Sequence, residues 1–264
     1  MIQGITEAPQ TISFAAMSER QQALAAEVLK DRAVASVSSF IGVDGVNSTL
    51  NSGRMLITLK PLEERDERAG EIIKRLAPEV AKVAGITLYM QPVQDLTIED
   101  RVSRTQYQFT LETTDANELS NWTPKLMDRL REMPQLAEVA TDLQDHGLQA
   151  YVEIDRDTAS RLGVTTSAID NVLYNAFGQR LISTIYTQAN QYRVVLEVKP
   201  EYKQGPDALT SLYLPGAGGL QVPLSSIARV IEKPATLAVN HIGQFPAATV
   251  SFNNTRKAGL DLMR

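Results

Sequence analysis

The apolar positions of the chain switch period repeatedly, from two to between three and four and back. Residues 2–8 alternate weakly and stop at Pro9. Phe14, Met17, Leu24 and Val28 then recur at helical spacing to about Arg32, behind Ser13, whose short hydroxyl side chain suits an N-cap. Residues 34–41 read as a strand, and 42–53 as a glycine-bounded loop. Met55, Ile57 and Leu59 mark one face of a strand over 54–60, closed by Pro61. Asp66 is placed to cap a helix with Ala69, Ile72, Ile73, Leu76, Val80 and Val83 on one side; Pro78 is set to kink or shorten it. Gly85 ends that helix, and 86–91 is a strand stopped by Pro92. The order is β-α-β-β-α-β, the ferredoxin-like split motif. Its crossover connections are right-handed and its two helices cover one face of the sheet. The other face is left to meet a second layer or to line a cleft.

A polar connector, 93–104, leads to a second unit. Tyr107, Phe109 and Leu111 alternate with Gln106, Gln108 and Thr110 in a strand. Asp115-x-x-Glu118 predicts a capping box. The apolar stripe of the helix behind it is Leu119, Trp122, Leu126, Leu130 and Met133, with Pro124 as a possible kink, and a strand over 136–143 follows Pro134. Three joints, beginning at Val28, Val80 and Leu130, repeat the order helix, short joint, strand, which is what duplicated units leave behind. Residues 148–155 then form a strand and 157–162 a short helix. Gly163 breaks it, and Thr165 or Thr166 starts a helix carrying Ile169, Val172, Leu173 and Ala176.

Residues 181–198 read as a β-hairpin turning at Gln188-Ala189-Asn190. Tyr192, Val194, Leu196 and Val198 alternate with Arg193, Val195 and Glu197, the pattern of a strand with one buried face. Short strands are expected near Leu212 and over 221–224, 229–232, 237–241 and 247–252.

A chain of 264 residues has room for one large or two ordinary domains. Its net charge is −5, with no Lys/Arg run, which argues against nucleic acid as a partner. There is no cysteine, so a disulfide framework and thiolate metal sites are excluded. No apolar run reaches the ~20 residues of a membrane helix. The first residues show neither a basic segment nor an apolar one, so the fragment is expected to be soluble and to lack a signal peptide.

Few residues suggest chemistry. His146 and His241 are the only histidines and lack the spacing of a zinc site, so no metal site is expected. Asp142, Asp145, Glu153, Asp155 and Asp157 are dense acids, but Asp155 or Asp157 suits a helix N-terminus better than acid–base work. The Gly-rich run 215–219 lacks the Lys-Ser/Thr and helix of a phosphate loop and reads as a hairpin turn. The loop 42–53 is more informative. It is long for such a unit and carries Val43, Val46 and Leu50. Thr87, Tyr89 and Gln91 share one strand face, a ring with two hydrogen-bonding groups, which is a mixture that suits a loosely selective pocket. Arg180, Tyr186, Tyr192 and Arg193 cluster in and before the hairpin and are residue types enriched at protein interfaces.

Phe177-Gly178, then Arg180, then a hairpin ending in Gln191-Tyr192-Arg193-Val194, resemble the start of the docking part in the second periplasmic loop of resistance-nodulation-division (RND) multidrug efflux transporters, the MdtB/MdtC branch most closely. The similarity runs from about Gln3 to Asn253 and includes the Ile-Asp-Arg-Asp-Thr-Ala-Ser-Arg-Leu-Gly-Val-Thr passage at 154–165. The resemblance implies an α+β chain of two ferredoxin-like porter subdomains, the second interrupted by a β-rich docking insert. The expected divisions are 1–93, 94–178, the insert 179–240, and 241–264. The tail after Asn253 departs from the family and is too short for a further helix and strand, so the second subdomain is expected to be truncated.

By the same resemblance the chain is not an enzyme and needs no cofactor. It would contribute to the substrate cleft and the docking collar of a proton-driven antiporter whose proton-carrying residues lie in membrane helices outside these 264 residues. The loop with Val43, Val46 and Leu50 would take the place of the family's switch loop, with aliphatic side chains where phenylalanine is frequent. Thr87, Tyr89 and Gln91 would line the cleft. Arg180, Tyr186, Tyr192 and Arg193 would serve assembly. The implied partners are amphipathic drugs, other protomers of a homo- or heterotrimer, a periplasmic adaptor and an outer-membrane channel. The implied location is the periplasmic face of the bacterial inner membrane, in a setting of antibiotic resistance. The rival expectation is a stand-alone ferredoxin-like module that binds a small molecule or a protein, since fold alone does not fix function.

Overall fold

The computed structural model describes residues 1–42, 49–93, 104–203 and 205–255. The elements in order are β1 (Ile2–Glu7), α1 (Phe14–Leu29), β2 (Val34–Ile41), β3 (Ser52–Leu59), α2 (Ala69–Val80) and β4 (Thr87–Pro92). Next come β5 (Tyr107–Glu112), α3 (Ala116–Arg131), β6 (Leu136–Thr141), β7 (Gly147–Ile154), α4 (Arg156–Arg161), α5 (Thr166–Phe177), β8 (Arg180–Tyr186) and β9 (Gln191–Leu196). The last are β10 (Tyr213–Pro215), β11 (Gln221–Pro223), β12 (Ala228–Ala235), β13 (Asn240–Ile242) and β14 (Phe245–Asn254). They gather into two compact units, Met1–Gly147 with Ala235–Arg264, and Leu148–Pro234.

The first sheet has the order β2-β3-β1-β4, every neighbouring pair antiparallel. This is the ferredoxin-like arrangement: β3 and β4 flank β1, and each helix returns the chain across the sheet. Ser13 caps α1 as expected, its hydroxyl accepting from the Ala16 N–H at 3.3 Å. Asp66 does not cap α2. The helix begins at Ala69, where the Glu71 carboxylate accepts from the Arg68 N–H at 2.9 Å. Pro78 lies within α2, which ends two residues later, so the apolar pattern is cut before Val83. Gly85 adopts φ 76°, a left-handed turn into β4 that residues with a side chain rarely adopt.

Alternation divides this sheet cleanly. Ile2, Met55, Ile57, Leu59, Leu88 and Met90 face the helices and are buried with Met17, Leu24 and Val28 of α1 and Ile72, Leu76 and Val80 of α2. Each such aliphatic side chain contributes roughly 1.5–3 kcal/mol relative to exposure. Gln3, Ile5, Glu7, Phe40, Arg54, Leu56, Thr87, Tyr89 and Gln91 fall on the opposite face by the paired register.

In the second sheet β14 lies between β5 and β6, antiparallel to both, and its first residues also pair with β13. With α3 packed on it, this reproduces the β-α-β-β portion of the same motif. Asp115 does start α3, accepting from the Asn117 N–H at 2.9 Å. The reciprocal half of the capping box is absent: Glu118 instead accepts from the Thr113 hydroxyl at 2.6 Å. The buried row of α3 is Leu119, Thr123 and Met127, and Trp122 is 61% exposed beneath the Lys125 ammonium. The expected stripe is rotated because the i, i+4, i+8 row through Leu119 meets the sheet.

In the other unit, Asp155 is the N-cap of α4 and Thr165 that of α5. Ala159, Ile169, Leu214, Val222, Leu224 and Ile227 form its core. The Gly-rich run joins β10 to β11 as a hairpin turn. The β8–β9 hairpin forms, with a bulge between Leu181 and Ser183. It does not bury one face. In β9 only Val194 is partly covered, and side chains of both faces of the ribbon reach solvent. No helix among the described residues is long and apolar enough to cross a membrane.

Candidate functional site

The helix-free face of the first sheet holds a concavity of about 370 Å³. Its floor is the register of four strands: Tyr89 of β4 opposite Ile5 of β1, Gln91 opposite Gln3, and Arg54 of β3 opposite both Ile5 and Phe40 of β2. Leu56 adds a further apolar wall, and Arg104 lines the concavity from the end of the connector. Apolar bodies (Ile5, Phe40, Leu56 and the Tyr89 ring) thus stand beside amide and guanidinium groups, a composition suited to an amphipathic molecule.

Electrostatics centre on one carboxylate. Arg104 donates from Nε to Glu7 Oε2 at 2.7 Å and from Nη2 to Oε1 at 3.4 Å. Gln144 Nε2 donates to Oε1 at 3.4 Å, and Asn51 Nδ2 donates to Gln144 Oε1 at 3.2 Å and to the Ala8 carbonyl at 3.0 Å. The network therefore joins β1, the segment before β3, the last residue of the connector and the segment after β6. Burial opposes the Arg104 charge, but Glu7, helped by Asp142, outweighs it and holds the guanidinium above its usual pKa. Burial, with the Glu7 charge, pushes the Tyr89 phenol up to about 12, so it stays a hydroxyl donor at neutral pH.

Of the residues expected at a cleft, Tyr89 and Gln91 line the concavity. Thr87 shares their face but lies one pair beyond, opposite Glu7. Leu50 is 53% exposed and does not line it, while Val43 and Val46 lie outside the described residues. The expected tail 254–264 is described only to Thr255. Among the hairpin candidates, Tyr186, Tyr192 and Arg193 are exposed. Arg180, the first residue of β8, is engaged by the preceding helix α5, donating to Asn175 Oδ1 at 2.8 Å and lying over the Tyr174 ring. Glu7, Phe40, Arg54, Leu56 and Arg104 were not anticipated. Strand alternation carries a signal for the first four, because they fall on the face opposite Met55 and Ile57. Arg104 has no such signal, since it stands at the end of a polar connector. Among the described residues no three His, Asp or Glu side chains gather as a cation cage.

The sequence model of the AcrB/AcrD/AcrF family matches residues 1–261. The chain belongs to the AcrB/AcrD/AcrF family. Its fold is also that of part of a heavy metal efflux pump solved in two crystal forms. Against the first form the TM-score is 0.82 at 17% identity, covering 96% of this chain and 27% of the pump. Against the second the TM-score is 0.81 at 17% identity, covering 100% of this chain and 28% of the pump. The chain thus spans little more than a quarter of those transporters. As a member of the AcrB/AcrD/AcrF family it carries the α+β porter-type fold with the concavity on an open sheet face.

Proposed function

We propose that this chain is the second periplasmic loop of an RND-type multidrug efflux transporter of the MdtB/MdtC branch. In this reading residues 1–93 and 94–178, with the return strand from 241, are porter subdomains, and 179–240 is a docking insert. The observation that carries it is the concavity on the open face of the first sheet, where Ile5, Phe40, Leu56 and Tyr89 adjoin Gln3, Gln91 and Arg104. Such a surface binds an amphipathic body loosely and orients it by a few polar groups. In the whole protein, proton movement through membrane helices would drive export. The exposed hairpin tyrosines would meet neighbouring protomers of a trimer, or the adaptor and outer-membrane channel.

The solved structure that this fold matches is a heavy metal efflux pump, which makes a metal cation the competing cargo. Two arginines, Arg54 and Arg104, on the lining make this concavity a poor seat for a bare cation, and we adopt the organic cargo. The test is Tyr89→Ala in the full transporter. The set of exported drugs is expected to change while expression and trimer formation persist. Unchanged resistance across chemically diverse drugs would remove Tyr89 from the site. One tight ligand for the lone chain, with no effect in a transporter, would favour the stand-alone binding module.

A further inference from the structure

The Glu7–Arg104 pair is more than a strut between layers. The guanidinium is clamped along one edge only, through Nε and Nη2. Among the described residues no acceptor engages Nη1. The same side chain lines the concavity, with its exposure reduced to 16%. Glu7 is itself held by Gln144 Nε2, and Gln144 is fixed by Asn51 and by its carbonyl, which accepts from the Leu237 N–H at 2.7 Å. A carboxylate braced in this way leaves its guanidinium partner little rotational choice.

We propose that Arg104 is a specificity-determining residue of the concavity: its Nη1 edge donates to an oxyanion, carboxylate or sulfonate, of an amphipathic ligand whose apolar body rests on Ile5, Phe40, Leu56 and Tyr89. Glu7 is the positioning residue that aims this edge. The inference rests on reading the concavity as a ligand site. An oxyanion is favoured over a neutral carbonyl because it adds the attraction of an opposite charge, weakly screened where Arg104 is largely buried, to the hydrogen bond. Arginine suits the role because its planar fork can hold a carboxylate on one edge and offer another, which a lysine point charge cannot do.

The test uses the 264-residue chain and two probes with the same ring system, anilinonaphthalene sulfonate and uncharged N-phenylnaphthylamine. Affinity is read by fluorescence, and the site by amide chemical shifts at Ile5, Phe40 and Leu56. Arg104→Lys and Arg104→Gln are expected to weaken the sulfonate about tenfold, the loss of one charge-assisted hydrogen bond, and to leave the uncharged probe within about twofold. Glu7→Gln is expected to give a smaller loss, partly restored by Glu7→Asp, which keeps the carboxylate. Should Arg104→Gln fail to fold with Glu7 left unpaired, the double variant Glu7→Gln/Arg104→Gln removes both charges and must show the same selective loss. Undiminished sulfonate affinity in the Arg104 variants, or equal losses of both probes, overturns the anchor. If neither probe moves the three amides in the unaltered chain, the ligand-site reading itself is overturned, and the anchor with it.

Discussion

Two β-structures of this molecule use similar residues and treat them differently. In β3, Met55, Ile57 and Leu59 are 1%, 0% and 8% exposed beneath α1 and α2. In β8, Leu181, Ile182 and Ile185 are 50%, 57% and 54% exposed. The first sheet has four strands and a helical layer, whereas the hairpin is a ribbon of two strands. A two-stranded ribbon cannot bury both of its faces by itself, and is at best marginally stable alone. The difference teaches that an alternating apolar pattern reports a strand, while what covers the strand is decided elsewhere in the chain or outside it. Uncovered aliphatic and tyrosine side chains on one ribbon are what the proposed assembly role of the hairpin rests on.

The largest expected effect breaks the covered side of this comparison. Leu24→Ala removes a fully buried side chain between α1 and the sheet and should cost ~3 kcal/mol, read as a lowered urea midpoint. Ile185→Ala in the hairpin should stay within about 0.5 kcal/mol. Equal losses would mean that the hairpin is covered in solution.

Next comes assembly. Tyr186 and Tyr192 are 77% and 56% exposed. Changed together to alanine in an intact transporter, they should weaken subunit or outer-channel assembly by about 2 kcal/mol or more, as buried aromatic anchors do. Urea stability of the isolated chain should not change. Crosslinking measures the outcome. Normal assembly together with lost drug binding would assign the hairpin to the cleft and end the division of labour between the two regions.

Much of the first sheet was legible because strands and helices there alternate with clear stops, and because Ser13 sits where a cap must sit. The face carrying Tyr89 and Gln91 followed from the two-residue period alone. The rest depended on tertiary partners. Trp122 falls on an apolar stripe by spacing, yet the sheet selects the row through Leu119, Thr123 and Met127. The hairpin shows the alternation of a half-buried strand, yet no layer of described residues covers it. The Glu7–Arg104–Gln144–Asn51 network was invisible, because its members are up to 137 residues apart and each, alone, reads as an ordinary polar residue. Buried polar networks of this kind are specified by the layers that meet over them, not by local pattern.

The smallest expected effect contrasts two sets of ion pairs, one in each region. At the end of α1, Asp31 accepts from Arg75 Nε at 2.8 Å and Nη2 at 3.0 Å, and from the Ala33 N–H at 2.8 Å. Glu67 accepts from the same arginine and, at 3.0 Å, from Arg32. The Arg75 hydrogen bonds, against the opposing effect of burial, hold the Asp31 carboxyl below its ordinary pKa of 3.8. A depressed carboxylate binds fewer protons in the folded chain than in the unfolded one. Its contribution is therefore complete above the unfolded value and is lost as pH falls through the folded value. Arg75→Gln should cost about 1 kcal/mol at neutral pH, since the pairs are partly exposed and screened by solvent. The gap between this variant and the unaltered chain should stay constant down to about pH 5 and narrow below pH ~4 as Asp31 protonates in both states. In the hairpin region, Lys203 pairs with Glu197 at 2.5 Å with side chains 27% and 36% exposed, whereas the Asp31 carboxylate is 6% exposed. Glu197→Gln should produce no measurable change at any of these pH values. Denaturant midpoints for both variants, measured between pH 3 and 7, decide the matter. A flat gap for Arg75→Gln down to pH 3 would remove Asp31 from the acid response, and a pH-dependent gap for Glu197→Gln would place a structural ion pair in the region argued here to be open.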